Sequence, residues 1–329
     1  MSAQGSISCR AAPVGPLRRL PDEADLDFIN QRLDVHGFEA SPLRWQGDWV
    51  RGRHEEWRLR SVYQPIYRVL PDGIEGWGVE ALARVADGFG GQIAPTVLFA
   101  AETSPRRTVF LDRQLRCLHL LNFLLQRPQP GLRLALNVNA QHLVNVAEGL
   151  GLFFAEIVAQ LQVAPSQICL EVVEDAVSDP VRLLSAVQRY RELGFQIALD
   201  DFGQGASNLE RVWLLEPDLV KLDKVLLRHA LMRPAVRDKL AQLVEILHLH
   251  GAKVLAEGVE CEWQLTIARE AGCDFVQGYH LARLKQNACC RMPPFSFVAC
   301  SRAAETILRG AHRSRWPRHG GPRRGRDAR

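Results

Sequence analysis

Short apolar runs alternate with longer amphipathic stretches along most of this chain. The runs SVYQ, GWGVE, LRLALN, QICLE, FQIALD, DLVK, KVLAE and CDFVQ are rich in Val, Ile and Leu, and most lack a clean polar alternation. Strands buried on both faces of a parallel sheet read this way. Each run ends on a polar residue: Gln64, Glu80, Asn137, Glu171, Asp200, Lys221, Glu257 and Gln277. Eight strand-to-helix passages predict an α/β fold of the (β/α)8 TIM-like barrel class, in which the carboxyl ends of the strands converge on one face.

The stretches between the runs carry helix signals. QHLVNVAEGLGLFFAEIVAQLQ spaces Leu143, Leu152, Phe153, Ile157 and Leu161 at helical intervals. DPVRLLSAVQRYRELG opens with Pro180 and closes at Gly194, and PAVRDKLAQLVEILHLHG repeats the design between Pro234 and Gly251. Ala94 to Pro128 is long enough for two helices. Residues 1–58 read as a leader with one helix in LDFINQRLDVHGF, starting near Asp25 or Asp27. The barrel occupies 59–310, with PPFSFVACSRAAETILRG as a closing helix. Residues 311–329, dense in Pro, Gly and Arg, read as a disordered tail.

Composition adjusts this picture in three places. An apolar fraction of 47% and a length of 329 residues suit one large barrel with extensions. No apolar stretch nears the roughly 18 residues of a membrane span, and the N-terminus has no secretory apolar core, so a cytoplasmic location is expected. The eight cysteines form no CxxC pair and are expected as free thiols. The net charge of +4 is uneven: from Arg302 onward nine Arg face only Glu305 and Asp327, leaving the rest of the chain at −3. That tail is either a solvated extension or a weak contact for anionic surfaces such as nucleic acid or membrane.

The polar strand ends carry the candidate chemistry. Glu80, Asn137, Glu171 and Asp200 are hard oxygen ligands suited to Mg²⁺ or Mn²⁺ and unlike the His and Cys sets of zinc. Asp201 follows Asp200, and a diverging pair of carboxylates can face two cations, the arrangement that assists in-line displacement at phosphorus. Lys221 can hold an attacking water or phosphoryl oxygens, and Glu257 can accept a proton. Arg84, expected in the loop beyond the second strand, can pair with phosphate. Singly, each residue reads as a helix cap, a salt-bridge partner or a solvated loop residue. A Schiff-base barrel acting on a small carbonyl compound would also use a strand-end lysine. The acids around Lys221 fit phosphate and metal better.

The motifs EAL at Glu80–Leu82, DDFG at Asp200–Gly203, KLD at Lys221–Asp223, AEGVE at Ala256–Glu260 and QGY at Gln277–Tyr279, joined by YQPI at Tyr63–Ile66 and EVVE at Glu171–Glu174, resemble the EAL-domain cyclic di-GMP phosphodiesterases of bacteria. The resemblance runs from about Ser61 to Leu284. It implies hydrolysis of cyclic di-GMP to linear pGpG on a barrel with two Mg²⁺ or Mn²⁺ ions, lowering a second messenger, and a possible homodimer. It implies that Glu80, Asn137, Glu171 and Asp200 bind metal, with Asp201 on the second ion. It places Lys221 beside the nucleophilic water, Glu257 in a metal-linked or general-base role, and Glu174 as the anchor of the loop after Asp201. Gln64, Arg84 and Gln277 become substrate or active-site contacts. Gln204 stands where the family has Thr, Asn139 where it has Ser, and Leu284 where Pro is usual, and the region from Ser104 to Thr108 is atypical. These departures leave a catalytically weak cyclic di-GMP receptor or protein-interaction module as the alternative.

Overall fold

The computed structural model describes residues 19–34, 43–102, 104–126, 128–139, 152–173, 179–204, 209–282 and 298–299. Strands β1 (Arg44–Gln46), β2 (Trp49–His54), β3 (Trp57–Leu70), β4 (Gly73–Ala86), β5 (Gln92–Ile93), β6 (Arg133–Val138), β7 (Ile168–Val173), β8 (Gln196–Phe202), β9 (Leu219–Leu222), β10 (Lys253–Ala256), β11 (Phe275–Val276) and β12 (Val298–Ala299) form one sheet. Eight of them, β3, β4 and β6 to β11, close into the TIM-like barrel through the β3–β4 pairing. Neighbours from β4 through β11 run parallel.

The first barrel strand departs from the eightfold repeat. β3 is antiparallel to both β4 and β11 and is joined to β4 by the short turn after Leu70, with no helix between them. The amino-terminal half of β3 therefore lies at the end of the barrel where the other strands finish. Apolar runs fix that a strand exists but carry no information about its direction, which the hairpin decides.

The helices cover the outside. They are α1 (Glu23–Asp34), α2 (Pro95–Ala101), α3 (Pro105–Leu125), α4 (Leu152–Gln160), α5 (Pro180–Glu192), α6 (Leu209–Leu215), α7 (Lys224–Met232), α8 (Pro234–Leu249) and α9 (Glu262–Glu270). In α5, Asp179 caps the start by accepting from the Arg182 N–H at 3.1 Å, and Pro180 takes the first turn. Gly194, with φ +89°, then ends the helix in a left-handed conformation that costs glycine little. Its buried stripe is Leu183, Ala186, Val187 and Tyr190, one face at helical spacing. α8 follows the same plan, burying Leu240, Val244 and Leu247.

The expected two helices between Ala94 and Pro128 are α2 and α3, and α1 starts three residues before the expected LDFINQRLDVHGF segment and overlaps it from Leu26 to Asp34. β1 and β2 form a hairpin in the segment read as leader. Of the expected closing helix, only Val298–Ala299 is described, and it pairs as a strand with β4. The first part of the QHLVNVAEGLGLFF helix and the basic tail lie outside the described residues.

α3 is buried all round from Phe110 to Leu124, because β2 and β3 lie on one side and α1 and α4 on the other. Its polar residues are consequently paired. Arg116 reaches Asp112 at 2.7 Å and Tyr190 Oη at 3.2 Å, and Asp112 accepts from the Asn139 N–H at 3.0 Å. That last bond ties the helix to the chain just beyond β6, two residues from Asn137.

Candidate active site

A layer of side chains plugs the barrel and sets the floor of the site. Ile66, Trp77, Ala135, Cys169, Ala198, Leu219, Leu255 and Phe275 form one buried cluster, one residue from each barrel strand. Strand side chains repeat every two residues, so the next inward position on six strands is Asn137, Glu171, Asp200, Lys221, Glu257 and Gln277. On β3 it is Gln64, two residues before Ile66, because that strand is reversed. On β4 it is Glu80, three after Trp77, since Trp77 is the extra residue of a bulge opposite Ile66 and Tyr67. Gln64 and Glu80 are direct cross-strand partners. The polar layer contains all eight residues that end the apolar runs, although Gln64 and Glu80 lie mid-strand.

Lys221 is the centre of this layer. Its Nζ lies 3.0 Å from Glu171 Oε1, 3.0 Å from Asp200 Oδ1, 2.9 Å from Glu257 Oε1 and 3.8 Å from Glu80 Oε1. One ammonium thus faces four carboxylates in a buried setting. Burial alone would lower the lysine pKa, but Glu171, Glu80, Asp200 and Glu257 outweigh it and hold Lys221 well above its ordinary value. Burial drives Glu171 far up, with Lys221 opposing and Glu80 and Asp200 adding to the rise. Glu257 is raised to about 7, chiefly by burial, despite the neighbouring ammonium.

Amides complete the layer. Asn137 Nδ2 donates to Glu80 Oε1 at 3.2 Å and Gln277 Nε2 to Glu80 Oε2 at 2.8 Å. Both amides point their donors at Glu80, which leaves their carbonyl oxygens for other partners. Asp201 joins through an irregularity of β8. Leu199 pairs with Val220 and Phe202 with Leu222, so Asp200 and Asp201 together stand opposite Lys221. Asp201 takes a left-handed φ of 56° and donates its N–H to Asp200 Oδ1 at 2.9 Å. Regular alternation would make the two side chains diverge, as expected from the sequence. The bulge instead brings ligand atoms of Asp200, Asp201 and Glu257 within 4.8 Å of one another.

The geometry fits divalent cations. The fully buried Glu171 meets Lys221 Nζ at 3.0 Å from its Oε1, while its Oε2 has no hydrogen-bond partner among the described residues. Buried negative charge with an oxygen left unpaired is unfavourable and is relieved by a cation held among oxygen ligands. With all five ionised, Glu80, Glu171, Asp200, Asp201 and Glu257 would exceed the single lysine by four negative charges, a charge that bound divalent cations would offset.

One expectation needs adjustment. Arg84 is within β4, not in a loop, and its Nη1 donates to the Ala83 carbonyl at 3.0 Å. It stands four residues beyond Glu80, about 13 Å further up the strand. Glu174 lies outside the described residues. Asp223 was assigned no role from the sequence, yet it is buried, caps α7 through the Val225 N–H at 2.7 Å and accepts from Gln204 Nε2 at 2.7 Å. Its signal was the two-residue step from Lys221.

The raised Glu257 gives a pH prediction for the metal-free protein. The folded state keeps this proton between about 4.5 and 7, where the unfolded state has released it. Its stabilising contribution is full below the unfolded value and lost as pH rises through about 7. In chelator, urea midpoints of the native chain should therefore fall relative to Glu257→Gln from pH 5 to pH 8. Groups such as His119, which burial lowers to about 3, cancel in that difference. A constant or opposite difference would contradict the assignment.

The fold and site define a TIM-like barrel whose mouth carries an acidic layer around one buried lysine, a set of oxygen ligands suited to divalent cations. The EAL domain family matches residues 48–284, and the chain belongs to this family. It is 31% identical over 227 residues to the probable cyclic di-GMP phosphodiesterase PdeB of Escherichia coli K12, covering 66% of this chain and 41% of PdeB. To the cyclic di-GMP phosphodiesterase RocR of Pseudomonas aeruginosa it is 29% identical, covering 74% of this chain and 62% of RocR. The chain thus spans less than two thirds of these relatives. The Bacillus subtilis YkuI protein, solved with substrate c-di-GMP and calcium, superposes with a TM-score of 0.57 at 25% identity, covering 77% of this chain and 60% of that one. Among the described residues no helix is long and apolar enough to cross a membrane.

Proposed function

We propose that this chain hydrolyses one phosphodiester bond of cyclic di-GMP to give linear pGpG, using two Mg²⁺ or Mn²⁺ ions. The observation that carries this reading is the acidic layer around Lys221, in which the buried Glu171 leaves its Oε2 without a hydrogen-bond partner. Glu80, Asn137, Glu171 and Asp200 would hold one cation and Asp201 the second. Bound divalent ions supply an activated water and neutralise charge on the phosphoryl oxygens. Lys221 stays protonated and orients that water while offsetting the charge of the acids. Glu257, raised to about 7, can take a proton at Oε1 near neutral pH. Gln277, held by Glu80, and Gln64 beside it line the substrate's approach, and Arg84 further up β4 faces its phosphates. The plug beneath excludes water from below.

The reading is tested by incubating the protein with cyclic di-GMP and Mg²⁺ or Mn²⁺ and following pGpG. Turnover should appear with metal and vanish with chelator. Glu80→Ala should reduce it by at least ~10²–10³, the scale for losing one electrostatic stabiliser of a transition state. Undiminished hydrolysis by Glu80→Ala would contradict the assignment.

A second reading, a receptor that binds cyclic di-GMP without turnover, rests on Gln204. Its Nε2 donates to Asp223 and lies 3.5 Å from Asp201 Oδ1. An amide donor beside Asp201 competes with a cation for that carboxylate. Micromolar binding without pGpG would select this reading.

A further inference from the structure

Asn137 is held at the mouth by Glu80, and the chain just beyond it is held by a buried ion pair on α3. β6 keeps its register with β4 as far as Leu136 and with β7 as far as Val138. Asn139, two residues past Asn137 and about 7 Å along the chain, stands outside both ladders. There the Asp112 carboxylate takes over, its Oδ1 accepting from the Asn139 N–H at 3.0 Å. The backbone after Asn137 is thus fixed first by β7 and then by a side chain of α3.

Asp112 is itself buried, and a buried carboxylate needs a cation or several donors. Arg116, one turn further along α3, supplies the cation: its Nη2 lies 2.7 Å from Asp112 Oδ2, so the two carboxylate oxygens face different partners. Burial alone would lower the Arg116 pKa, but Asp112, with Tyr190 next, outweighs it and holds the guanidinium above its ordinary value. The guanidinium is clamped in turn. Its Nη1 donates to Tyr190 Oη at 3.2 Å, and its Cζ lies 5.0 Å from the centre of the Phe154 ring. Phe195 packs on both rings, 5.8 Å from Phe154 and 5.7 Å from Tyr190. Helices α4 and α5 therefore set Arg116, Arg116 sets Asp112, and Asp112 sets the chain after Asn137.

Stability does not explain this arrangement. Buried ion pairs replaced by apolar groups of like volume are often as stable or more so. What an apolar pair cannot do is accept a hydrogen bond from the Asn139 N–H. On the other side, Asn137 donates Nδ2 to Glu80 Oε1 at 3.2 Å, which leaves its carbonyl oxygen for another partner. Groups that orient a metal ligand from behind are commonly worth 10- to 100-fold in metal affinity.

We propose that Asp112 is a positioning residue, holding the Asn137 carbonyl oxygen in place for a divalent cation through the Asn139 N–H, with Arg116 fixing its carboxylate. The proposal rests on the metal-binding part of the reading above and not on turnover of cyclic di-GMP. Two double variants separate the hydrogen bond from the ion pair. Asp112→Leu with Arg116→Met removes both, whereas Asp112→Asn with Arg116→Met removes the pair and keeps an oxygen that can accept from Asn139. Mn²⁺ is titrated into the full chain without substrate, and free Mn²⁺ is read from its electron paramagnetic resonance signal. The first variant should bind Mn²⁺ roughly 10- to 100-fold more weakly than the parent, and the second within about threefold of it. At saturating Mn²⁺ the KM for cyclic di-GMP should stay at the parent value in both, because Gln64, Arg84 and Gln277 are untouched. A general loosening of the fold would instead lower the thermal midpoint in chelator and raise KM with it. Asn139→Pro deletes the donor and leaves the ion pair in place. It should repeat the first variant's loss, and it decides the matter if the first variant does not fold. Parent-like Mn²⁺ affinity in the first variant or in Asn139→Pro overturns the proposal, as does an equal loss in both double variants. A parent that binds no Mn²⁺ overturns it together with the metal site. The expected Mn²⁺ pattern without any pGpG sustains the positioning role and removes the hydrolytic reading instead.

Discussion

Lys221→Met is expected to abolish hydrolysis and to destabilise the metal-free protein by about 3–5 kcal/mol, the cost of removing one partner from a buried ionic cluster. Lys221 is 1% exposed at its side chain, and no other cation lies among Glu80, Glu171, Asp200 and Glu257 in the described ion pairs. Without it, several carboxylates must take up protons to fold, so the loss should grow as pH rises. Divalent cations should restore much of the stability, since an ion held only by the folded state adds about 2.7 kcal/mol at a hundred times its dissociation constant. Urea melts with chelator and with Mg²⁺, at pH 6 and pH 8, read all three effects. A metal-free variant as stable as the parent would mean that Lys221 does not hold the acidic layer together.

Glu171→Leu should behave in the opposite way in chelator. The parent carboxylate is fully buried and driven toward its protonated form by that burial, with Lys221 opposing the shift and Oε2 left without a hydrogen-bond partner. An apolar side chain of similar volume removes that unfavourable burial, while Asp200 and Glu257 still balance Lys221. The metal-free variant should match the parent or exceed it by about 1 kcal/mol, as buried ionic groups replaced by apolar ones often do. Activity should fall by at least ~10²–10³, and the stabilisation by Mg²⁺ should shrink. The pairing of unchanged folding with lost metal response separates a ligand from a residue that merely packs. A variant that unfolds in chelator, or keeps its full Mg²⁺ response, would remove Glu171 from the ligand set.

Much of the site was legible because the polar layer lies one strand period above the plug. Asn137, Glu171, Asp200, Lys221, Glu257 and Gln277 each sit two residues beyond a plug residue, so the ends of the apolar runs mark the layer directly. Gln64 and Glu80 were found for a different reason. Their runs do not end at the mouth; the reversed β3 and the bulge at Trp77 happen to place them in the same layer. The position of Arg84 within β4 was not legible, since EALARVA gives no break between strand and loop. Asp223 lies two residues beyond Lys221 and past the apolar run DLVK, so nothing in that run marks it. That Arg44 stands opposite Arg51 and Arg53 opposite Arg58 follows from the register of β1, β2 and β3, which no local pattern in RWQGDWVRGRHEEWRLR sets.

The sequence by itself determined the class of fold, the family, and which residue types line the mouth, because strand periodicity and apolar burial are local properties of consecutive residues. Only the tertiary structure decided the direction of β3, the pairing of arginines beyond the mouth, and the meeting of Asp200, Asp201 and Glu257 within 4.8 Å. These depend on hydrogen-bond register between strands distant in the chain. A one-residue bulge there reverses the face a side chain meets, and no run of neighbouring residues records it.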